Sequence, residues 1–104
     1  MAAPYNPPVK GQDFVFRTSL DDYAVPGRHK VNPTIAAGDF KVDKDGGGLT
    51  NLATLPTVDP TGTQLVKITL SSDEMNGDVV TVVCKDQTTT PEWCDTVISI
   101  LTTT

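Results

Sequence analysis

The feature that most constrains this chain is a set of short apolar segments with a period of two. "TQLVKITL" (63–70) sets Val66, Ile68 and Leu70 on one face and Leu65, Lys67 and Thr69 on the other. "DFVFRTSL" (13–20) does the same with Phe14, Phe16, Thr18 and Leu20 against Val15, Arg17 and Ser19. "DFKVDKD" (39–45) aligns Phe40 with Val42. Side chains alternate across a strand, so each segment reads as a half-buried strand. "DVVTVVCK" (78–85) is almost continuously apolar and suits a central strand, and "CDTVISILT" (94–102) closes the chain as another.

Between these segments lie strong turn signals. "GGGLTNLATL" (46–55) reads as a turn followed by a weak strand or irregular edge, and "PTVDPTG" (56–62) breaks it. Residues 21–37 hold Pro26, Gly27, Asn32 and Pro33 and form a long connection, with a short strand expected near Lys30–Val31. "SSDEMNG" (71–77) carries the only helical signal: Ser71 and Glu74 have capping-box spacing, and Asn76-Gly77 supplies a stop. The expected fold is all-β: an antiparallel β-sandwich, Ig-like or jelly-roll-like, with one short helical turn near 71–76. Residues 13–104 form a single domain, preceded by an extended arm over 1–12 that carries Pro4, Pro7 and Pro8.

A chain of 104 residues suits one domain with a modest core. Its net charge of −5 argues against a nucleic-acid partner, which calls for a basic face. The lysines and arginines are scattered, without the basic run of a membrane-surface segment, and no apolar stretch approaches a membrane span. "MAAPYNPPVK" lacks the apolar centre of an export signal, so synthesis in a cytoplasm is expected.

"FKVDKDGGGLTNL" (40–52) is the stretch most like a ligand site. An EF-hand register that puts Asp45-Gly46 at its fifth and sixth positions places Lys41 first and Leu52 last. Neither can ligate calcium. A looser calcium site using Asp39, Asp43 and Asp45 stays open, but nothing in the sequence completes its ligand set. A phosphate loop is excluded because no lysine and no helical period follow the glycines. A tight hairpin explains the stretch best, since Asp-Gly and Gly-Gly supply positive φ.

Cys84 and Cys94 lie on consecutive strands. Free thiols are favoured by cytoplasmic synthesis, and a disulfide remains the alternative. With the lone His29 they fall short of a zinc ligand set, and no cofactor is expected. His29 lies in a loop, and no serine has a nucleophile-elbow context, so no enzymatic activity is expected. Trp93 has two readings: a cover for one end of the sandwich, or an anchor that stacks on a sugar or a partner.

"NPTIAAGDFKVDKDGGGLTNL", "VKITLSSDEMNGDVVTVVCKD" and "PEWCDTVISI" together resemble small β-sandwich virion proteins of tailed bacteriophages. Similar domains begin upper-baseplate and tail-fibre proteins. The shared pattern is a strand, an Asp-Gly-Gly hairpin, a strand ending in Leu-(Ser/Thr)-x-x-Glu-Met, and two further strands, over residues 31–101. The resemblance implies a β-sandwich, assembly into a virion and no catalysis. The expected role is then a structural protein docking in symmetric copies on capsid, neck or tail, for decoration, stabilisation or attachment. Its partners would be other virion proteins and copies of itself, with neither nucleic acid nor membrane. The alternative is an Ig-like module that binds carbohydrate or a host surface through Trp93 and the "DKDGGG" loop. Expected interface residues are Tyr5, Pro7 and Pro8 of the arm, with Phe14, Tyr23 and Trp93 of the domain, since aromatic side chains dominate interface energetics.

Overall fold

The computed structural model describes residues 7–103. Seven strands form in chain order: β1 Phe14–Thr18, β2 Phe40–Lys44, β3 Thr50–Asn51, β4 Thr57–Val58, β5 Val66–Leu70, β6 Val79–Cys84 and β7 Thr96–Leu101. They make two antiparallel sheets, one in the order β1-β5-β4 and the other β3-β2-β6-β7. The sheets pack face to face as an all-β sandwich.

The alternation in the sequence decides the packing. In β5, Val66, Ile68 and Leu70 are buried while Lys67 and Thr69 turn outward. In β2, Phe40 and Val42 point inward. In β6, Val80, Val82 and Cys84 do so. These meet Leu20, Met75, Trp93 and Ile100 in one core, with Phe14, Phe16, Ile35, Leu52 and Ile98 packed against its margin. A one-residue slip of any of these strands would turn its apolar set to solvent, so burial fixes the register.

The helical turn expected at 71–76 is a tight turn with capping-box bonds on both sides. Ser71 N donates to Glu74 Oε1 at 2.9 Å, and Glu74 N donates to Ser71 Oγ at 3.2 Å. Met75 N donates to Ser71 O (3.0 Å) and Asn76 N to Asp73 O (3.2 Å), closing the turn, and Met75 enters the core.

Two expectations need correction. No strand forms at Lys30–Val31; Asp21 and His29 make one isolated antiparallel bridge, and Lys30 N donates to Leu20 O at 2.6 Å. "PTVDPTG", expected only to break the chain, contains β4, whose two residues pair with Lys67 and Val66 of β5. Pro56 and Pro60 flank this pair and keep the strand that short.

The extended arm expected over 1–12, with interface residues for a neighbour, is tied to its own domain from Pro8 onward. Val9 bridges Thr103 in parallel, Lys10 N donates to Thr103 O (2.8 Å) and Gly11 N to Met75 O (3.0 Å). Lys10 Nζ also pairs with Asp78 at 3.2 Å.

Candidate docking surface

The acidic side chains of the most site-like stretch are bound to backbone. Asp43 accepts from Gly46 N at 2.8 Å and from Gly48 N at 2.7 Å, clamping the β2–β3 turn. Asp45 (φ 53°) and Gly46 (φ 79°) take the positive φ that the hairpin requires. The Asp45 carboxylate leaves its own turn and accepts from Val79 N and Asp78 N, each at 2.9 Å. Those hydrogen bonds hold its pKa below the usual carboxylate range. Asp39 is buried and accepts from Ala36 N and Gln87 N. The open calcium reading is thereby corrected: Asp39, Asp43 and Asp45 serve three separate backbone segments. Among the described residues no group of His, Cys, Asp and Glu side chains is placed to hold a metal ion.

Other carboxylates work the same way. Asp86 is buried, which raises its pKa, but bonds from Glu92 N, Thr88 N and the Thr88 hydroxyl outweigh burial and leave it lowered. Glu74 joins Ser71 N to Ala53 N, linking the β5–β6 turn to the β3–β4 connection. Irregular segments leave backbone donors unmet, and a charged acceptor satisfies them well.

Among the described residues the expected interface residues are dispersed, except Tyr23 and Trp93, which border one cleft. Tyr5 lies outside the described residues. Pro7 is exposed, while Pro8 is half-buried and its carbonyl accepts from Thr103 N at 2.9 Å. Phe14 is half-buried at the core margin and stacks on Phe16, ring centroids 5.5 Å apart. Tyr23 is exposed and borders a shallow cleft with Pro91, Trp93, Cys94 and Asp95. Trp93 is fully buried, 6.0 Å from the Phe40 ring, with Nε1 donating to Cys84 O at 3.3 Å. Its role as a surface anchor is therefore corrected to a core role: it seals one end of the sandwich and has no face left for a sugar. Cys84 and Cys94 are free thiols, the first buried and the second exposed. Burial pushes the Cys84 thiol up to about 12. His29 lies 3.6 Å from Asp21 on an exposed turn.

What stands out at the surface is the outer face of β6 and β7. Register pairs Val79 with Leu101, Thr81 with Ser99 and Val83 with Val97. All six side chains are uncharged, and Val97 and Leu101 are 63% and 72% exposed. Apolar residues scattered singly on a surface need no explanation, but four in paired register on one sheet face do. The sequence carries a signal for this patch that the strand assignment passed over. "TVISILTT" (96–103) holds no charge, and both of its faces carry apolar residues.

Among the described residues β7 is also an edge strand, hydrogen-bonded only to β6. In an antiparallel pair alternate residues exchange both backbone bonds. Thr102 N donates to Asp78 O, so the phase turns Ile100, Ile98 and Thr96 toward β6. The bonds Asp45 N to Val79 O and Lys85 N to Asp39 O agree, because they turn the odd-numbered residues of β6 toward β2. The N–H and C=O groups of Val97, Ser99 and Leu101 therefore point away from the sheet. Thr103, next in this phase, meets Pro8 and Lys10 of the arm. The other edges are blunted: β3 and β4 have two residues each, and β1 carries Arg17, paired with Asp59 at 3.0 Å.

Compared with family models, with curated proteins and with solved structures, the chain matches none.

Proposed function

We propose that this chain is a non-enzymatic structural protein of a tailed-phage virion, docking in symmetric copies on the capsid, neck or tail. The resemblance over residues 31–101 supplies the virion setting. The observation that carries the docking role is the uncharged β6–β7 outer face, where Val79, Val97 and Leu101 lie exposed and Val83 half-buried in paired register. On a chain of net charge −5, such a face is where a neighbour can be accepted without like-charge repulsion.

The carbohydrate-binding alternative loses both of its supports, because Trp93 is sealed in the core and the carboxylates of the "DKDGGG" loop are engaged with backbone. The fixed loops and the rigid turn fit a part made to hold its shape in an assembly. Immunogold labelling of purified phage particles, with antibody raised against the isolated chain, tests the proposal. Regular labelling at one location on the particle is expected. Particles that carry none of the chain overturn it.

A further inference from the structure

We propose that the outer face of β2 and β6 carries a pocket that receives a carboxylate side chain from an acidic segment of a partner protein, held between Lys41 and Lys85. The proposal deepens the docking reading above and rests on it only for the virion setting. Phe40 and Val42 point into the core, so Lys41 between them points out. Lys41 pairs directly with Val83 of β6, and Lys85 follows Val83 on the same side of the ladder. Lys85 is thus the diagonal neighbour of Lys41, about 7 Å away across the sheet. One carboxylate lying between two ammoniums at that spacing can accept from both. With Leu49 and Val83 the two lysines line a half-open cavity of about 240 Å³. That is below the ~300–1,000 Å³ of small-molecule pockets and suits a single side chain.

Charge complementarity points to the occupant. Among the described residues Lys10, Arg17, Lys44 and Lys67 each pair with an aspartate, while neither Lys41 nor Lys85 has an ion-pair partner. Asp39 and Asp43 flank Lys41 in sequence, but their carboxylates are turned to backbone. Asp39 accepts from Ala36 N and Gln87 N, and Asp43 from Gly46 N and Gly48 N. On a chain of net charge −5, two unmatched cations in one cavity call for a negative group from outside. Leu49 and Val83 offer apolar contact to the stem that bears it, and Val83 pairs with Val97 of the uncharged face. A protein segment that carries a carboxylate beside aliphatic side chains meets both surfaces at once. A polyanion such as nucleic acid is opposed by the net charge of the chain. The apolar face supplies attachment, and the lysine pair fixes where on the partner the chain lands.

The isotope-labelled full chain, titrated with the peptide acetyl-Val-Glu-Val-Ala-amide and followed by NMR, tests the proposal. Saturable shifts are expected at the amides of Lys41, Val83 and Lys85, at millimolar concentrations because exposed ion pairs are individually weak. The same peptide with glutamine for glutamate should bind about fivefold to tenfold more weakly. Lys41→Glu with Lys85→Glu should weaken binding about tenfold or more, and Lys41→Gln with Lys85→Gln, which only removes charge, covers a reversal that fails to fold. Arg28→Glu with Lys30→Glu makes the same change in net charge away from the pocket and should leave the affinity within about twofold. No saturable shift at these amides, equal binding of the glutamine peptide, an equal loss in the Arg28 and Lys30 variant, or inorganic phosphate binding as tightly as the peptide overturns the proposal. Self-association that the lysine variants abolish assigns the pocket to a second copy and overturns a separate partner. In purified particles, carbodiimide takes up the water lost when a lysine amine and a touching carboxylate join as an amide, and should link Lys41 or Lys85 to another protein. A chain present in particles with both lysines unlinked retains the virion proposal and removes this one. A chain absent from particles removes the virion proposal, and the peptide titration then decides the pocket.

Discussion

Glu74→Ala tests how far carboxylates hold this fold together. Glu74 is buried, and its two oxygens accept from Ser71 N at 2.9 Å and Ala53 N at 3.0 Å. Removing the carboxylate leaves two backbone donors without partners, and each such loss costs about 1–3 kcal/mol when the donor stays dry. Ala53 is exposed, so water can replace its partner; Ser71 is half-buried and recovers less. The expected loss is therefore about 2–3 kcal/mol, between one full penalty and two. For a domain of this size that lowers the melting temperature by about 10–15 °C. Glu74→Gln keeps one carbonyl acceptor and should cost about 1 kcal/mol. Urea unfolding of the three proteins, analysed at a common slope, gives the comparison. A change below about 0.5 kcal/mol for Glu74→Ala, at the level of ordinary surface substitutions, would refute the reasoning. So would equal losses for the alanine and glutamine variants.

Further outcomes are expected. Asp45 and Asp86 titrate below the ordinary 3.8 in the folded chain, so their contribution is complete above that pH and lost as pH falls beneath it. Urea midpoints should fall on acidification, and Asp86→Asn should flatten that fall. Cys94 should react at once with a thiol reagent while Cys84 reacts only on unfolding; a second fast-reacting thiol would contradict its burial. Because the Cys84 thiol is raised from 9.0 to about 12, stability should decline as pH rises through that interval, and Cys84→Ala should remove this part of the decline. Gly77→Ala would press a Cβ within 3.1 Å of Asp45 Oδ2 and 3.2 Å of Lys44 Cβ, and should cost about 1–2 kcal/mol in the same unfolding assay. Calorimetric titration with calcium should give no saturable heat, since the aspartates near the turn are bound to separate backbone segments.

The strands were legible because alternation is a local property: "VKITL" and "FVFRT" each show their buried face within five residues. The capping box at Ser71 and Glu74 was legible for the same reason, since both partners lie within one turn. β4 was not, because Thr57–Val58 owes its strand form to β5 and not to its own sequence, which is crowded by proline and aspartate. Asp45 shows the harder limit. Its glycine neighbours announced a turn, but its partners at Asp78 and Val79 are more than thirty positions away and are set by the pairing of β2 with β6 in one sheet. Trp93 was ambiguous because a tryptophan between loop and strand can face either way, and only the packing of Phe40 and Cys84 decides it. The docking surface was half visible: the uncharged run after Asp95 is in the sequence, but its position at a sheet edge depends on strand order.

The stretch "FKVDKDGGGLTNL" thus has a structural task, and the surface proposed for docking is the outer face of β6 and β7. The most direct test of the virion role is the composition of purified phage particles, measured by quantitative mass spectrometry after gradient purification. The account predicts the chain in a fixed ratio to the major structural proteins, retained through washing at high salt because the docking face is uncharged. Its absence from particles, or a content that varies between preparations, would contradict it.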